Sequence, residues 1–188
     1  MDNQFKVHHG MFHAVMSLDV AQDDLYRRHQ KVAELLSLDP AAQRDYQFAV
    51  MGSQVYLRSP VPRGDVSKWR EMPMPEAGRA YRLGGTIWID ASRLAPAKRA
   101  IWRTPQFMAS EVERMLRQAG QVENVEVSPQ SGVPLSKPGC RPITVTPIVF
   151  TASLAITDYV SEANAIRIAQ QGIGRGKGFG FGCVFFQG

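Results

Sequence analysis

Cysteine is nearly absent from this chain of 188 residues, which holds only Cys140 and Cys183. Two cysteines are too few for a disulfide scaffold, and neither sits in a CxxC or Cys/His spacing that would suit zinc. Both are read as reduced thiols. No apolar stretch approaches the ~20 residues that a membrane-spanning helix needs. The opening MDNQFKVHHG lacks the basic-then-apolar order of a secretory signal. These absences point to a soluble, cytoplasmic protein. The carboxylates form no paired motif and no metal cage, and no Ser/His/Asp order stands out, so neither a metal nor a cofactor is expected. What is present is a hydrophobic content of 44%. That suffices for one ordinary domain or two small ones and excludes a disordered tail protein.

Charge is unevenly spread. The chain carries 22 Lys+Arg against 17 Asp+Glu, a formal net charge of +5. Between Arg58 and Arg103 lie ten basic residues (Arg58, Arg63, Lys68, Arg70, Arg79, Arg82, Arg93, Lys98, Arg99, Arg103) and four acidic ones (Asp65, Glu71, Glu76, Asp90), while the remainder is close to neutral. A local excess of that size is the electrostatic footprint of a protein with a polyanionic partner, most often nucleic acid. An ordinary solvated basic face is the competing reading.

Periodicity sets out the elements. FHAVMSL (12–18) predicts a strand, and Asp23-Asp24 offers N-cap chemistry to a helix with Leu25, Val32, Leu35 and Leu36 on its apolar side. DYQFAVM and QVYLRS flank Gly52-Ser53 as a hairpin. One short helix is expected in the Pro- and charge-rich stretch that follows, and YRLGGTIWIDA is read as the strand completing a β-α-β-β-(α)-β half. The segment 92–106, with Pro96, Pro105 and four cations, is read as a basic linker. Beyond it, FMASEVERMLRQAG is helical, VENVEVS alternates as a strand, SPQSGVPLSKPGCRP is a loop, ITVTPIVFTASLAI is β-rich, SEANAIRIAQQ is helical and FGFGCVFF is a last strand. The expected fold class is α+β, two tandem ferredoxin-like (RRM-like) β-α-β-β-α-β domains over 1–91 and 107–188, joined by the 92–106 linker. The first strand of the second unit has to come from around TIWIDA or from the linker.

Two features carry possible chemistry. In QGIGRGKGFGFG, glycines occupy 172, 174, 176, 178, 180 and 182 with Arg175 and Lys177 among them. A dinucleotide fingerprint needs a strand before the glycines and a helix after, which is the reverse of the order here. A phosphate-binding Walker loop needs Ser/Thr after Gly176-Lys177, where Gly178 stands. Two readings remain: a backbone able to approach a phosphate chain with Arg175 and Lys177 supplying charge, or a tight turn packed beneath a helix. The second feature is the first helix, where Tyr26 and His29 are neighbours at i, i+3. A histidine titrating near neutrality can move a proton at physiological pH, or it can be a satisfied structural residue at the edge of the buried stripe. His8, His9 and His13 form no ligand set.

DLYRRHQ (24–30), DPAAQRDYQFAV (39–50) and IVFTASLAITD…AQQGIGRGKGFGFGCVFF (148–186) together resemble the CasE-type CRISPR RNA-processing endoribonucleases, of the superfamily that shares a C-terminal glycine-rich loop between a helix and a strand. The resemblance implies metal-independent cleavage of a CRISPR repeat hairpin on the 3′ side of its stem. The ribose 2′-OH attacks the adjacent phosphate and leaves a 2′,3′-cyclic phosphate. In that family a Tyr-x-x-His pair sits at the scissile phosphate; Tyr26 and His29 match it, with His29 as general acid or base. Arg28 and Lys31 are candidate RNA contacts on the same helix, Arg28 being the nearer to His29 by helix phase. Gly174, Arg175, Gly176 and Lys177 are candidates in the glycine loop, and Arg93, Lys98, Arg99, Arg103, Lys137 and Arg141 are candidates for contacts to the RNA backbone.

The resemblance further implies that the protein stays bound to the mature guide RNA beside other CRISPR-associated subunits in an interference complex of type I-E or type IV. A non-catalytic RNA-hairpin-binding subunit of the same fold is the alternative. A more distant one is a small-molecule or nucleotide-binding domain that uses the glycine loop for a phosphate.

Overall fold

The computed structural model describes residues 10–19, 24–39 and 45–188. Strand β1 (Met11–Ser17) leads to helix α1 (Leu25–Leu35), then to the hairpin β2 (Gln47–Met51) and β3 (Gln54–Ser59). Asp24 caps α1, its carboxylate accepting from the Arg27 amide at 2.9 Å. Leu25, His29, Val32 and Ala33 form the buried stripe of the helix. Gly52 turns the hairpin with φ +62°, as primed hairpin turns require. A single 3-10 turn (Val66–Lys68) stands where one short helix is expected, and β4 (Arg70–Met72) then pairs with β1. The sheet order is β2-β3-β1-β4, antiparallel throughout. Its core gathers Val32 and Leu36 of α1 with Phe48, Val55, Leu57 and Trp69.

The second sheet is built from β5 (Ala80–Trp88), β6 (Gln121–Pro129), β9 (Pro147–Ala155) and β10 (Val184–Gln187), in the order β10-β5-β9-β6. Taken in chain order as first to fourth strand, this is the arrangement of the first sheet again. Helices α3 (Pro105–Leu116) and α4 (Tyr159–Gln171) supply the two crossovers. The strand in YRLGGTIWIDA therefore belongs to the second unit, as its first strand, rather than completing the first. The 92–106 segment accordingly lies within the second unit, between β5 and α3, and contains α2 (Pro96–Ile101). Its prolines open helices rather than break them: Pro96 and Pro105 each occupy a first turn, where the missing N–H costs nothing. The segment 128–142, expected as a loop, instead opens with the end of β6 and goes on into an added two-stranded hairpin, β7 (Val133–Leu135) and β8 (Ile143–Val145).

Strand β6 carries a bulge between Glu123 and Glu126, with Asn124 at φ +52°. The bulge explains the uneven spacing of Val122, Val125 and Val127, all of which pack on the second core.

The two sheets meet through buried contacts. Arg58 of β3, 2% exposed, donates from Nη1 to the Ala169 carbonyl in the last turn of α4 at 3.2 Å and from Nε to the Tyr56 hydroxyl at 3.2 Å. Its guanidinium also lies 5.3 Å from the Phe185 ring of β10. Small apolar clusters mix both units: Met11 and Met72 with Ala169, Leu25 with Val145 and Phe181, and Ala49 and Tyr56 with Cys183. Truncating Arg58 leaves a cavity and a buried carbonyl without its donor. Arg58→Ala is expected to lower unfolding free energy by about 2–4 kcal/mol in urea titration. A loss under about 0.5 kcal/mol, the range of ordinary surface substitutions, contradicts the role given to this residue.

Candidate functional site

The glycine-rich segment follows α4 and precedes β10, in the helix-then-strand order read from the sequence. Gly172, Gly174, Gly176, Gly180 and Gly182 all have positive φ. The loop is tied at its neck: the Ile173 amide donates to the Gly182 carbonyl at 2.9 Å, and the Gly182 amide donates to the Thr86 carbonyl of β5 at 2.6 Å. A Cβ on Gly182 would collide with the Ile173 carbonyl oxygen, and one on Gly172 with the Gly182 carbonyl oxygen. This neck is a tight packed turn. The loop beyond it, including the 3-10 turn Lys177–Phe179, packs against α1 and β2 of the first unit.

That packing encloses His29. The side chain is 2% exposed, more deeply buried than a stripe-edge position suggests. Its Nδ1 lies 3.4 Å from the Tyr46 hydroxyl, and the Phe179 ring of the glycine loop stands edge-on to the imidazole at 6.4 Å between centroids. A hydrogen bond at Nδ1 governs what Nε2 can do. With Tyr46 donating, the neutral ring carries its proton on Nε2; with Nδ1–H donating, Nε2 is free to accept one and acts as a base, and the imidazolium so formed is the acid. Tyr26 lies half-buried one turn before His29 on α1, and Arg28 is also half-buried. Lys31 reaches the Asp19 carbonyl at 3.5 Å. The base of the β7–β8 hairpin packs on the start of α1 through Val133, Leu135 and Val145 around Leu25 and Phe181. The exposed loop between these strands carries Lys137 and Arg141.

The remaining basic candidates gather elsewhere, around carboxylates. Arg93 and Arg175 both pair with Asp90, at 3.4 and 3.6 Å. Lys98 pairs with Glu111 at 3.9 Å, and Arg114 joins the same carboxylate at 2.7 Å. Arg99 donates to the Ser92 and Leu94 carbonyls, and Arg103 lies over the Trp102 ring at 5.1 Å. The basic stretch is thus less of an unopposed patch than its composition suggests, and its first member, Arg58, is buried between the sheets. Gly174 and Arg175 are exposed, whereas Gly176 is held against the Phe181 and Trp88 rings. Lys177 is partly buried, and desolvation, then the charge of Arg167, push its ammonium pKa down.

His13 on β1 bonds the Tyr56 hydroxyl through Nδ1 at 3.2 Å; burial, then nearby Arg58, lower its pKa. His8 and His9 lie outside the described residues. Among the described residues no cluster of three or more His, Cys, Asp or Glu side chains could hold a metal ion. No described helix is long and apolar enough to cross a membrane. Sequence reasoning missed Tyr46, whose contact with His29 spans 17 positions and leaves no local signature.

No family model matches the sequence, and no curated protein does either. Solved structures do match in fold. The CRISPR-associated protein Cas6e from Escherichia coli K-12 superimposes with a TM-score of 0.61 at 19% identity, covering 94% of this chain and 98% of that one. The CRISPR endoribonuclease Cse3 bound to a 19-nucleotide RNA gives 0.62 at 16%, covering 95% and 98%. A chain of a CRISPR RNA-guided surveillance complex gives 0.65 at 17%, covering 94% and 98%. Across nearly its whole length, the chain has the tandem ferredoxin-like fold of the Cas6e and Cse3 structures.

Proposed function

We propose that this protein is a metal-independent endoribonuclease that matures CRISPR precursor RNA and remains on the product as a subunit of an interference complex. The observation that carries the reading is the placement of His29. It lies on the inner face of the first helix, bonded to Tyr46 and faced by Phe179 of a glycine-rich loop that resembles the superfamily's loop. The solved structures sharing this fold include an endoribonuclease with bound RNA and a chain of an RNA-guided surveillance complex, which supports the same reading.

In the proposed reaction the ribose 2′-oxygen forms a bond to the adjacent phosphorus and the P–O5′ bond breaks. The 2′-OH proton goes to a base, and an acid protonates the leaving 5′-oxygen. The products are a 2′,3′-cyclic phosphate and a 5′-OH. His29 serves as the acid or the base, Tyr26 hydrogen-bonds or orients the phosphate, and Arg28 offsets its charge. Tyr46 is a positioning residue that sets the proton on the imidazole. The RNA stem is recognised chiefly by shape and phosphate, because the A-form major groove is too deep and narrow for base reading. Arg93, Lys98, Arg99, Arg103, Lys137, Arg141 and the glycine loop are the proposed backbone contacts, with Lys31 at the edge of the site.

The deep burial of His29 favours a second reading, a non-catalytic subunit in which Tyr26 and His29 only pack. Incubation with CRISPR repeat RNA in EDTA separates the two. Wild type is expected to cut the all-ribose hairpin and to spare a copy with a 2′-deoxy nucleotide just upstream of the cut. His29→Ala should bind normally and cut about 10²–10⁴-fold more slowly. Tight binding by wild type without any cutting establishes the second reading instead. Tyr46→Phe should slow cutting with unchanged affinity and displace the pH–rate profile, because the hydroxyl partner of Nδ1 is gone. An unaltered profile contradicts the positioning role.

A further inference from the structure

A cavity of about 370 Å³ lies between the end of β5, α3 and the Gly174-Arg175 part of the glycine loop. Trp88 forms one wall and also packs with Leu25 and Phe181 at the start of α1, so the cavity adjoins the proposed cutting site. Its charged lining is Asp90, Arg93, Glu111, Arg114 and Arg175.

The two signs of charge sit at different depths. The side chains of Asp90 and Glu111 are only 19% and 10% exposed, whereas those of Arg93, Arg114 and Arg175 are 66%, 62% and 49% exposed. Asp90 is fixed through Oδ1, which accepts from the Ser92 amide at 3.1 Å and the Ser92 hydroxyl at 2.6 Å. Its Oδ2 faces Nε of Arg93 at 3.4 Å and Nη1 of Arg175 at 3.6 Å. Glu111 takes Nε and Nη2 of Arg114 on Oε2, at 3.0 and 2.7 Å, and Nζ of Lys98 lies 3.9 Å from its Oε1. Cations from the turn after β5, from α2, from α3 and from the glycine loop thus converge on two carboxylates, and positive charge is left in excess.

Ion pairs made by exposed cations contribute little to stability, and sinking a carboxylate is costly unless its oxygens are bonded. Holding the fold therefore does not account for the arrangement. It does restrict four long side chains whose rotamer freedom would otherwise be lost on meeting a ligand. Arg114 is held by one edge of its guanidinium and, among the described residues, has no acceptor at Nη1, which is left for a phosphate oxygen.

We propose that Asp90 and Glu111 are positioning residues that orient Arg93, Lys98, Arg114 and Arg175 as one clamp for phosphates of the bound RNA. The inference rests on the RNA-processing reading; it adds Arg114 as an RNA contact and gives two anions a part in binding a polyanion.

The sign of a charge-removing substitution tests it, read as affinity across a salt series for a repeat hairpin made uncleavable by a 2′-deoxy nucleotide at the cut. Asp90→Asn and Glu111→Gln each make the chain more positive, which through long-range electrostatics alone tightens binding. They are expected instead to weaken it about three- to tenfold and to reduce the slope of log K against log salt by about one, as loss of a phosphate contact does. Glu113→Gln is the control, the same change on α3 at a carboxylate that pairs with Arg117, and should bind at least as tightly as wild type. With Arg93 and Arg175 both changed to Ala, Asp90→Asn should cost nothing further. Affinity equal to or above that of wild type in either variant overturns the clamp, since the carboxylates then only mask charge. A loss with an unchanged salt slope, or one that persists without Arg93 and Arg175, also overturns it, because a disturbed fold is then the cause. Should Glu111→Gln fail to fold, Asp90→Asn carries the same test from a turn with no buried residue. Absence of salt-dependent binding by wild type removes the RNA-processing reading and the clamp with it.

Discussion

The arrangement of the site depends on a cation kept out of water. Arg58 is buried where the two sheets meet, and a guanidinium in that position needs its donors satisfied. It donates to the Tyr56 hydroxyl on its own strand and to the Ala169 carbonyl in the last turn of α4. The negative end of the helix dipole makes that carbonyl a good acceptor for a cation. The bond fixes where α4 stops relative to the first sheet, and Gln47 adds a second tether one residue later, at Gln170. The exit of the glycine loop is set by these two bonds.

From that exit the loop has little freedom. Its neck is closed by hydrogen bonds to itself and to β5, and its far side lies on α1 and β2. Gly180 lets the backbone come against the Phe48 ring of the first core, and Phe179 reaches the ring of His29. The glycines therefore serve close packing at the neck and against the first unit, while exposed Gly174 and Arg175 face solvent. The tight-turn reading of the glycine run describes the neck and its packing on the first unit. A histidine from the first unit, a tyrosine just before β2 and a loop from the second unit come together here.

Much of this was legible in the sequence where the signal is local. The Asp24 cap, the Leu25–Val32 stripe, the Gly52-Ser53 hairpin and the helix–glycine–strand order all follow from spacing over a few residues. Sheet membership is not local. Nothing within YRLGGTIWIDA shows that its partners are β9 and β10, the nearer of which begins at Pro147. The β7 and β8 strands were hidden by their short length and by the prolines and glycines between and before them. The enclosure of His29 was hidden for a related reason, since Tyr46 and Phe179 reach it from other elements. Burial of Arg58 was equally unreadable, because an arginine on a strand looks the same in sequence whether it meets solvent or a helix end.

The central claim is that the scissile nucleotide lies where α1 meets the glycine loop. Photocrosslinking from a 4-thiouridine placed at the cut site of an uncleavable repeat hairpin, followed by peptide mapping, tests it most directly. Crosslinks within residues 24–35 or 172–182 are the expected result. Crosslinks confined to the opposite end of α4, around residues 158–166, would contradict the account.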